Sequence, residues 1–277
     1  MHKLTEKNQL LGEILSGMNR VIVAFSGGVD STLVLKRAQQ ELGSSNVLAV
    51  IVASELFRNE EFDRAVELAE KMGIKVYQTE IKELEDERIT ENIPDSWYYS
   101  KKLLYSHVNL LAKELGYKYV LDGMIMDDME DFRPGMKART EAGVRSVLQE
   151  ANFYKQEVRK LAKELELPVW NKPASCSLAS RIPYGTKLDK HNIEQVDQAE
   201  KFMTKLGFNM VRVRYHGEVA RIEVAKEEIA DLLDHRDQIN LKLTSLGFKY
   251  VSVDLLGYRT GSMNEVLTED AMKVEFG

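Results

Sequence analysis

Five apolar residues in a row, Val21-Ile22-Val23-Ala24-Phe25, run without a spacer into Ser26-Gly27-Gly28-Val29-Asp30-Ser31. Apolar side chains then recur at helical spacing from Thr32 to Leu42 and stop at Gly43. An unbroken apolar run suits a strand buried on both faces, and a glycine pair at the mouth of a helix makes a tight turn. Strand, tight loop and helix in that order open a parallel α/β unit, and the pattern repeats. Residues 47–52 form a second apolar run, 60–72 a helix closed by Gly73, 74–77 a third strand, 100–115 a helix closed by Gly116, and 119–122 a fourth strand. The alternation predicts an α/β domain with a doubly wound parallel sheet. Before it, the first fifteen residues read as an amphipathic helix.

The rhythm changes after about residue 165. Residues 168–186 hold Pro168, Pro173 and Pro183 and keep neither a helical nor a strand period. They read as a loop crossing between domains. Beyond them lie a helix at 190–206, strands at 212–215 and 219–224, helices at 226–233 and 234–246, and a strand at 250–254: a second, smaller α+β domain. The division is a first domain at 1–167 and a second at 168–277.

Composition narrows the function classes. A chain of 277 residues can bury one large or two medium cores. A formal charge of -6 argues against a nonspecific nucleic-acid binder while leaving room for a local basic pocket. The amino-terminal segment lacks the apolar stretch of a signal peptide and no run reaches the length of a membrane span, so a cytoplasmic protein is expected. The single cysteine, Cys176, rules out a disulfide or cysteine-cluster metal site within one chain.

The loop at 26–31 carries the first chemistry. Its glycines bring amides close to phosphate oxygens, and Ser31 stands where a helix start favours an anion. Ser26 and Ser31 add hydroxyl donors, and Asp30 can hold magnesium against the phosphates. No GKS or GKT follows, and Lys36 is a turn too deep to be an obvious phosphate lysine. A helix capped after a glycine turn would need no ligand at all. The six-residue string in its strand–loop–helix setting nevertheless resembles the pyrophosphatase-loop (PP-loop) family of ATP hydrolases, whose members cleave ATP to AMP and pyrophosphate. That resemblance implies adenylation; spacing alone implies only phosphate binding. It assigns the nucleotide to Ala24, Ser26, Gly27, Gly28, Asp30 and Ser31, to Ala53 and Ser54 past the second strand, and to Gly123 and Asp128 past the fourth. Asp122-Gly123 and Asp127-Asp128 sit at a strand's carboxyl end, where carboxylates can hold a metal over a triphosphate, or can serve as helix caps and solvated charge.

The second unusual stretch runs from Pro173 to Gly185 around Cys176. A lone cysteine in a generic protein is a buried small hydrophobe, but this one has polar neighbours, and Lys172 and Arg181 can lower its pKa. This string, together with Asp131-Phe132-Arg133-Pro134-Gly135, resembles end to end the family of ATP-dependent sacrificial sulfur transferases of nickel-pincer nucleotide biosynthesis, associated with lactate racemase maturation. The resemblance implies a pyridinium-3,5-biscarboxylate mononucleotide as substrate. ATP adenylates a ring carboxylate, Cys176 attacks the acyl-adenylate, and Cβ–S cleavage leaves dehydroalanine on the protein.

Arg212 and Arg214 alternate with valines and project from one strand face, a pair that can grip an oxyanion or simply be solvated. With Trp97, Arg133, Ser180 and Arg181 they make the expected substrate-binding set, and Cys176, Asp30 and Arg181 the expected catalytic set. Trp97 can stack on a ring or anchor a loop. Glu200 and Glu223 stand as carboxylates for a second metal or for holding the arginines, beside Asp30 and Asp128 for the first. The implied cofactors are ATP and Mg2+, with Mn2+ or another divalent ion in its place. The implied partners are the nucleotide substrate, further copies of the chain in a homo-oligomer (hexamers among relatives) and a transient hand-over to other cofactor-biosynthesis enzymes; nucleic acid and membrane are not expected. Rival readings are an adenylating amidotransferase or synthetase, a transfer-RNA thiolase, and a non-enzymatic ATP-binding regulator or scaffold.

Overall fold

The computed structural model describes residues 2–129, 135–173, 175–259 and 262. In chain order its elements are α1 (His2–Ser16), β1 (Val21–Ala24), α2 (Val29–Leu42), β2 (Val47–Ala53), α3 (Asn59–Lys71), β3 (Lys75–Glu80), α4 (Glu87–Thr90), α5 (Ser96–Glu114), β4 (Tyr119–Leu121), α6 (Gly135–Glu141), α7 (Val147–Glu150), α8 (Lys155–Glu164), α9 (Lys190–Lys205), β5 (Arg212–His216), β6 (Val219–Glu223), α10 (Ile229–Asp234), α11 (Arg236–Ser245) and β7 (Tyr250–Val253). They fall into two compact units, residues 1–83 with 97–175 and residues 84–96 with 176–277.

The first unit carries a four-stranded sheet in the order β3-β2-β1-β4, every pair parallel. Alternate residues of each inner strand feed opposite cores. Val21 and Val23 of β1, with Val47, Ala49 and Ile51 of β2, pack under Leu11, Leu33, Leu35, Ala65, Ala69, Leu148 and Leu161, contributed by α1, α2, α3, α7 and α8. Ile22, Leu48 and Val50 turn the other way, onto Tyr105, Val108 and Leu111 of α5 and Ala138 of α6. Helices cover both faces, so the inner strands β1 and β2 have no polar side and read as continuous apolar runs, whereas the edge strand β3 keeps exposed polar residues. The doubly wound architecture expected from the sequence is the one observed. Strand order reverses direction between β1 and β4, and ligands of open parallel sheets bind beyond the carboxyl ends of strands at such a switch.

The second unit has a three-stranded sheet, β5-β6-β7, antiparallel between β5 and β6 and parallel between β6 and β7. A parallel pair needs a crossover, and α10 and α11 supply it. The core joins Val213, Ala220 and Ile222 of the sheet to Ala199 and Met203 of α9, Leu232 of α10 and Leu243 of α11. The smaller α+β region is therefore present as expected.

The division itself differs from the one drawn at 167/168. The chain changes unit at 175/176, and residues 84–96, which lie inside the α/β sequence, belong to the second unit. Asn92 holds them there. Its side-chain amide donates to the carbonyls of Ile182 (3.1 Å), Pro183 (2.9 Å) and Thr186 (3.3 Å), while Gly185 N–H donates to the Asn92 carbonyl at 2.9 Å. Asn92 takes φ +51°, a left-handed conformation that asparagine tolerates better than most residues. No periodic signal marks such a clasp.

Candidate nucleotide and cysteine sites

The nucleotide loop is shaped by glycine and hydroxyl contacts. Gly27 has φ +66°, and a Cβ there would stand 2.9 Å from the Cβ of Ala65, so α3 closes over the turn only because that atom is absent. Ser26 Oγ and Ser31 Oγ lie 3.1 Å apart, Ser31 Oγ donates to Gly28 O at 3.2 Å, and Thr32 Oγ1 donates to the same carbonyl at 2.7 Å. The cap position of α2 is Gly28, and no side chain caps the helix. The first amides of α2 are left for an anion instead. Gly123 approaches from the end of β4: a Cβ on it would meet Ser31 N at 2.7 Å. The glycine thus has a packing reason, since it lets the β4 loop lie against the start of α2.

Asp30, in the first turn of α2, forms an ion pair with Lys155 (Nζ to Oδ2, 2.6 Å), while its Oδ1 is buried without a hydrogen-bond partner. Burial, together with the nearby charge of Asp128, pushes the Asp30 carboxyl upward, and Lys155 opposes the shift. Asp128 Oδ2 accepts Ile125 N–H at 2.9 Å, and Asp127 Oδ2 accepts Lys155 N–H at 2.8 Å. An orphaned oxygen beside a second carboxylate suits magnesium, which takes one or two carboxylates and fills its shell with phosphate and water. Among the described residues no group of three or more His, Cys, Asp or Glu could hold a metal. Asp122 is committed elsewhere: it accepts hydrogen bonds from Tyr105 Oη (2.8 Å), Ser146 Oγ (2.5 Å) and Met124 N (3.2 Å).

Ala24 and Ala53 end β1 and β2. Ser54 Oγ accepts Leu56 N–H at 3.1 Å and donates to the buried carboxylate of Glu83, whose pKa burial pushes up while Ser100 and Ser54 pull it down. Glu83 N–H in turn donates to Glu55 Oε2 at 2.9 Å. Sequence reasoning passed over Glu83 and Lys155. Neither lies in a motif, and each acquires its partner through the fold. Lys172, set beside the cysteine by the sequence, instead directs its ammonium to Glu61 (2.6 Å) and to Gly27 O (3.3 Å). Trp97 lies half-buried in the first turn of α5. Arg133 and its neighbours from Glu130 to Pro134 fall outside the described residues.

In the second unit Cys176 is exposed and begins a segment pinned by arginines. Arg181, in the single turn Leu178–Arg181, is almost fully buried. It grips Glu200 through Nε and Nη2, both at 3.0 Å. Its Nη1 donates to the carbonyls of Cys176 (3.3 Å) and Ser177 (3.1 Å) and to Ser180 Oγ (2.8 Å). The guanidinium is thus spent on shaping the cysteine loop. Glu200 Oε1 also accepts Val213 N–H at 2.9 Å, tying that loop to β5. Arg214 repeats the device, with Nη1 on Ser180 O (2.8 Å) and Nη2 on Glu223 Oε2 (2.7 Å) and Ser262 Oγ (2.9 Å). Glu223 pairs with Arg221 as well, at 3.1 Å. Both carboxylates thus lie on guanidinium groups, Glu200 on Arg181 and Glu223 on Arg214 and Arg221.

Arg212 differs from its neighbours. It stacks over the Tyr258 ring at 5.3 Å from the centroid and donates to Val211 O at 2.8 Å, and among the described residues no carboxylate lies within ion-pair distance. Burial and the charge of Arg181 push its pKa down. A half-buried guanidinium with no carboxylate at ion-pair distance keeps donors with which it can grip an anion. Arg181 and Arg214 meet at Ser180, and Arg212 adds one under-neutralised positive charge in the electrostatic neighbourhood of Cys176.

A model of the NAD synthase family matches residues 7–104. The pyridinium-3,5-bisthiocarboxylic acid mononucleotide synthase of Lactiplantibacillus plantarum is 54% identical over 269 residues, covering 97% of this chain and 98% of its own. An uncharacterized protein of Synechocystis is 39% identical over 269 residues, covering 96% and 98%. A glutamine-hydrolyzing GMP synthase component of Sulfurisphaera tokodaii is 29% identical over 170 residues, 57% of this chain and 45% of its own.

Proposed function

The chain belongs to the family of the pyridinium-3,5-bisthiocarboxylic acid mononucleotide synthase, and from that premise we propose an ATP-dependent sulfurtransferase that consumes its own cysteine. The observation that carries the reading is Cys176: the only cysteine of the chain, exposed, on a loop fastened by Arg181 and in the electrostatic range of Arg212.

The substrate is a pyridinium mononucleotide with ring carboxylates. A carboxylate accepts a nucleophile poorly, so its oxygen first attacks the α-phosphorus of ATP; the Pα–O bond breaks and pyrophosphate leaves. The amides at the start of α2, with Ser26 and Ser31, bind the phosphates, and the β4 loop seats against them at Gly123. Asp30 and Asp128 would hold magnesium, which when bound neutralises phosphate charge. The Cys176 thiolate then attacks the acyl carbon, and AMP departs with the electron pair of the broken bond. Loss of the Cα proton of Cys176 forms the Cα=Cβ double bond as Cβ–S breaks, so the thiocarboxylate carries the sulfur away and dehydroalanine remains. The sequence balances without an external oxidant or reductant. Because each chain holds one cysteine, a product with two thiocarboxylates consumes two chains. Within the second unit Arg212 is suited to a substrate phosphate or carboxylate.

Intact mass after incubation with ATP, magnesium and the pyridinium substrate tests this directly. The protein should lose the elements of hydrogen sulfide; sulfurated product beside a protein of unchanged mass would sink the mechanism. The likeness of residues 7–104 to NAD synthase supports a second reading, amide formation from an adenylate. It requires ammonia in the product and ATP turnover that ignores Cys176. No helix among the described residues is long and apolar enough to cross a membrane. A reducing, cytoplasmic setting would keep the thiol available. The homo-oligomer expected from the sequence would be sized by sedimentation.

A further inference from the structure

The first chemical step leaves a need that no residue above meets. When the Pα–O bond breaks, its electron pair leaves on the pyrophosphate, and that growing charge needs a fixed cation. Many phosphate loops carry a lysine for this. This loop has none, and Lys36 is turned toward Gln39 Oε1 at 3.2 Å.

We propose that Lys155 is the phosphate-binding lysine of the ATP site, resting on Asp30 until the nucleotide arrives. The inference rests on the ATP reading and adds to it a residue from 125 positions away in the chain. Three observations carry it. Lys155 opens α8, its backbone N–H held by Asp127 Oδ2 at 2.8 Å, so its stem starts from a fixed point beside the acidic loop that follows β4. Its ammonium lies 2.6 Å from Asp30 Oδ2 in the first turn of α2, where the phosphate loop becomes helix. Finally, the pair is incomplete: Asp30 Oδ1 is buried with no partner, and the Asp128 charge bears on the same carboxylate.

Lys172 makes a useful contrast. It clamps the loop through Glu61 and Gly27 O and touches neither Asp30 nor Asp128. Lys155 instead occupies the carboxylate that magnesium would claim. Its side chain and that of Asp30 retain 31% and 23% of their exposure, so the pair is one that solvent screens and ligands can exchange. Once Asp30 turns to the metal, the ammonium is freed for phosphate oxygens bound at the start of α2. No proton moves: Lys155 donates N–H hydrogen bonds to the β- and γ-phosphate oxygens and stays with them as they become pyrophosphate.

The test is calorimetric binding of ATP, pyrophosphate and AMP, each with magnesium, to wild type, Lys155→Ala and Lys155→Arg. Lys155→Ala should weaken ATP and pyrophosphate by about 10- to 100-fold, the worth of a charge-assisted hydrogen bond, and leave AMP within a few-fold. Lys155→Arg should restore most of the loss. Equal affinity of wild type and Lys155→Ala for ATP and pyrophosphate overturns the proposal, as does parallel loss of AMP, which would make Lys155 only a brace for Asp30. Failure of wild type to bind ATP would instead overturn the reading on which it rests. Should Lys155→Ala not fold, Lys155→Gln against Lys155→Arg makes the same comparison.

Discussion

The two reactive regions are held together in opposite ways. Around Ser26–Ser31 the shape comes from backbone: a left-handed glycine, missing β-carbons at Gly27 and Gly123, and a helix start that no side chain caps. Of its ion pairs, Asp30–Lys155 is partly exposed and leaves an oxygen unpartnered, while Lys172 on Glu61 clamps the loop at Gly27. Around Cys176 the shape comes from buried charge: Arg181 on Glu200 and Arg214 on Glu223, with the arginine donors turned back onto loop carbonyls. A site that binds and releases a nucleotide needs ionic partners it can exchange. A loop whose cysteine reacts once needs its frame not to move.

The largest expected effects break that division at its centres. Cys176→Ala should abolish sulfur transfer while pyrophosphate release from ATP and substrate persists; a mutant that still yields sulfurated product would remove the cysteine from the mechanism. Next in size is Glu200→Ala. It strands the Arg181 guanidinium in the interior and should cost the second unit about 3–5 kcal/mol in urea unfolding. Replacing both partners by apolar residues should cost clearly less, and an equal loss would contradict the view that the penalty is an unpaired charge.

Gly123→Ala probes the backbone-made site. The added carbon cannot occupy its place 2.7 Å from Ser31 N, so the β4 loop must shift, at a cost of about 1–3 kcal/mol. ATP affinity, read by calorimetry, should fall while the arginine network stays intact. Unchanged affinity would detach Gly123 from the nucleotide.

The smallest effect concerns Glu83, which accepts the Ser54 hydroxyl behind β2. Burial raises its pKa above the ordinary 4.5. The folded protein therefore holds the proton to higher pH than the unfolded chain does. The stabilisation is complete below about pH 4.5 and is lost as pH rises through the folded pKa. Glu83→Gln removes that dependence. The stability of wild type relative to Glu83→Gln should thus decline as pH rises above the ordinary glutamate value, and parallel pH profiles would show that Glu83 does not titrate on folding.

Most of the α/β unit was legible because buried parallel strands leave a plain signature. Val21–Phe25 and the run at 47–52 needed no context. The helix α8 went unread, and with it Lys155, whose link to Asp30 is made by α8 packing beside α2 in one core. The clasp at 84–96 was equally silent: Asn92 is one polar residue in a nonperiodic stretch, and its three acceptors lie 90 to 94 positions away. Arg212 and Arg214 looked equivalent as alternating strand residues. The tertiary structure separated them, giving Glu223 to one and, among the described residues, the Tyr258 ring and a backbone carbonyl to the other.

By itself the sequence determined what is local. The phosphate loop, the doubly wound order of strand and helix, and a single cysteine in a polar loop all follow from residues adjacent in the chain, because turn chemistry and hydrophobic period act over a few positions. The tertiary structure decided which charges meet. Ion pairs such as Lys155 with Asp30 and Arg181 with Glu200 depend on distance in space, and their strength depends on how far folding removes them from water.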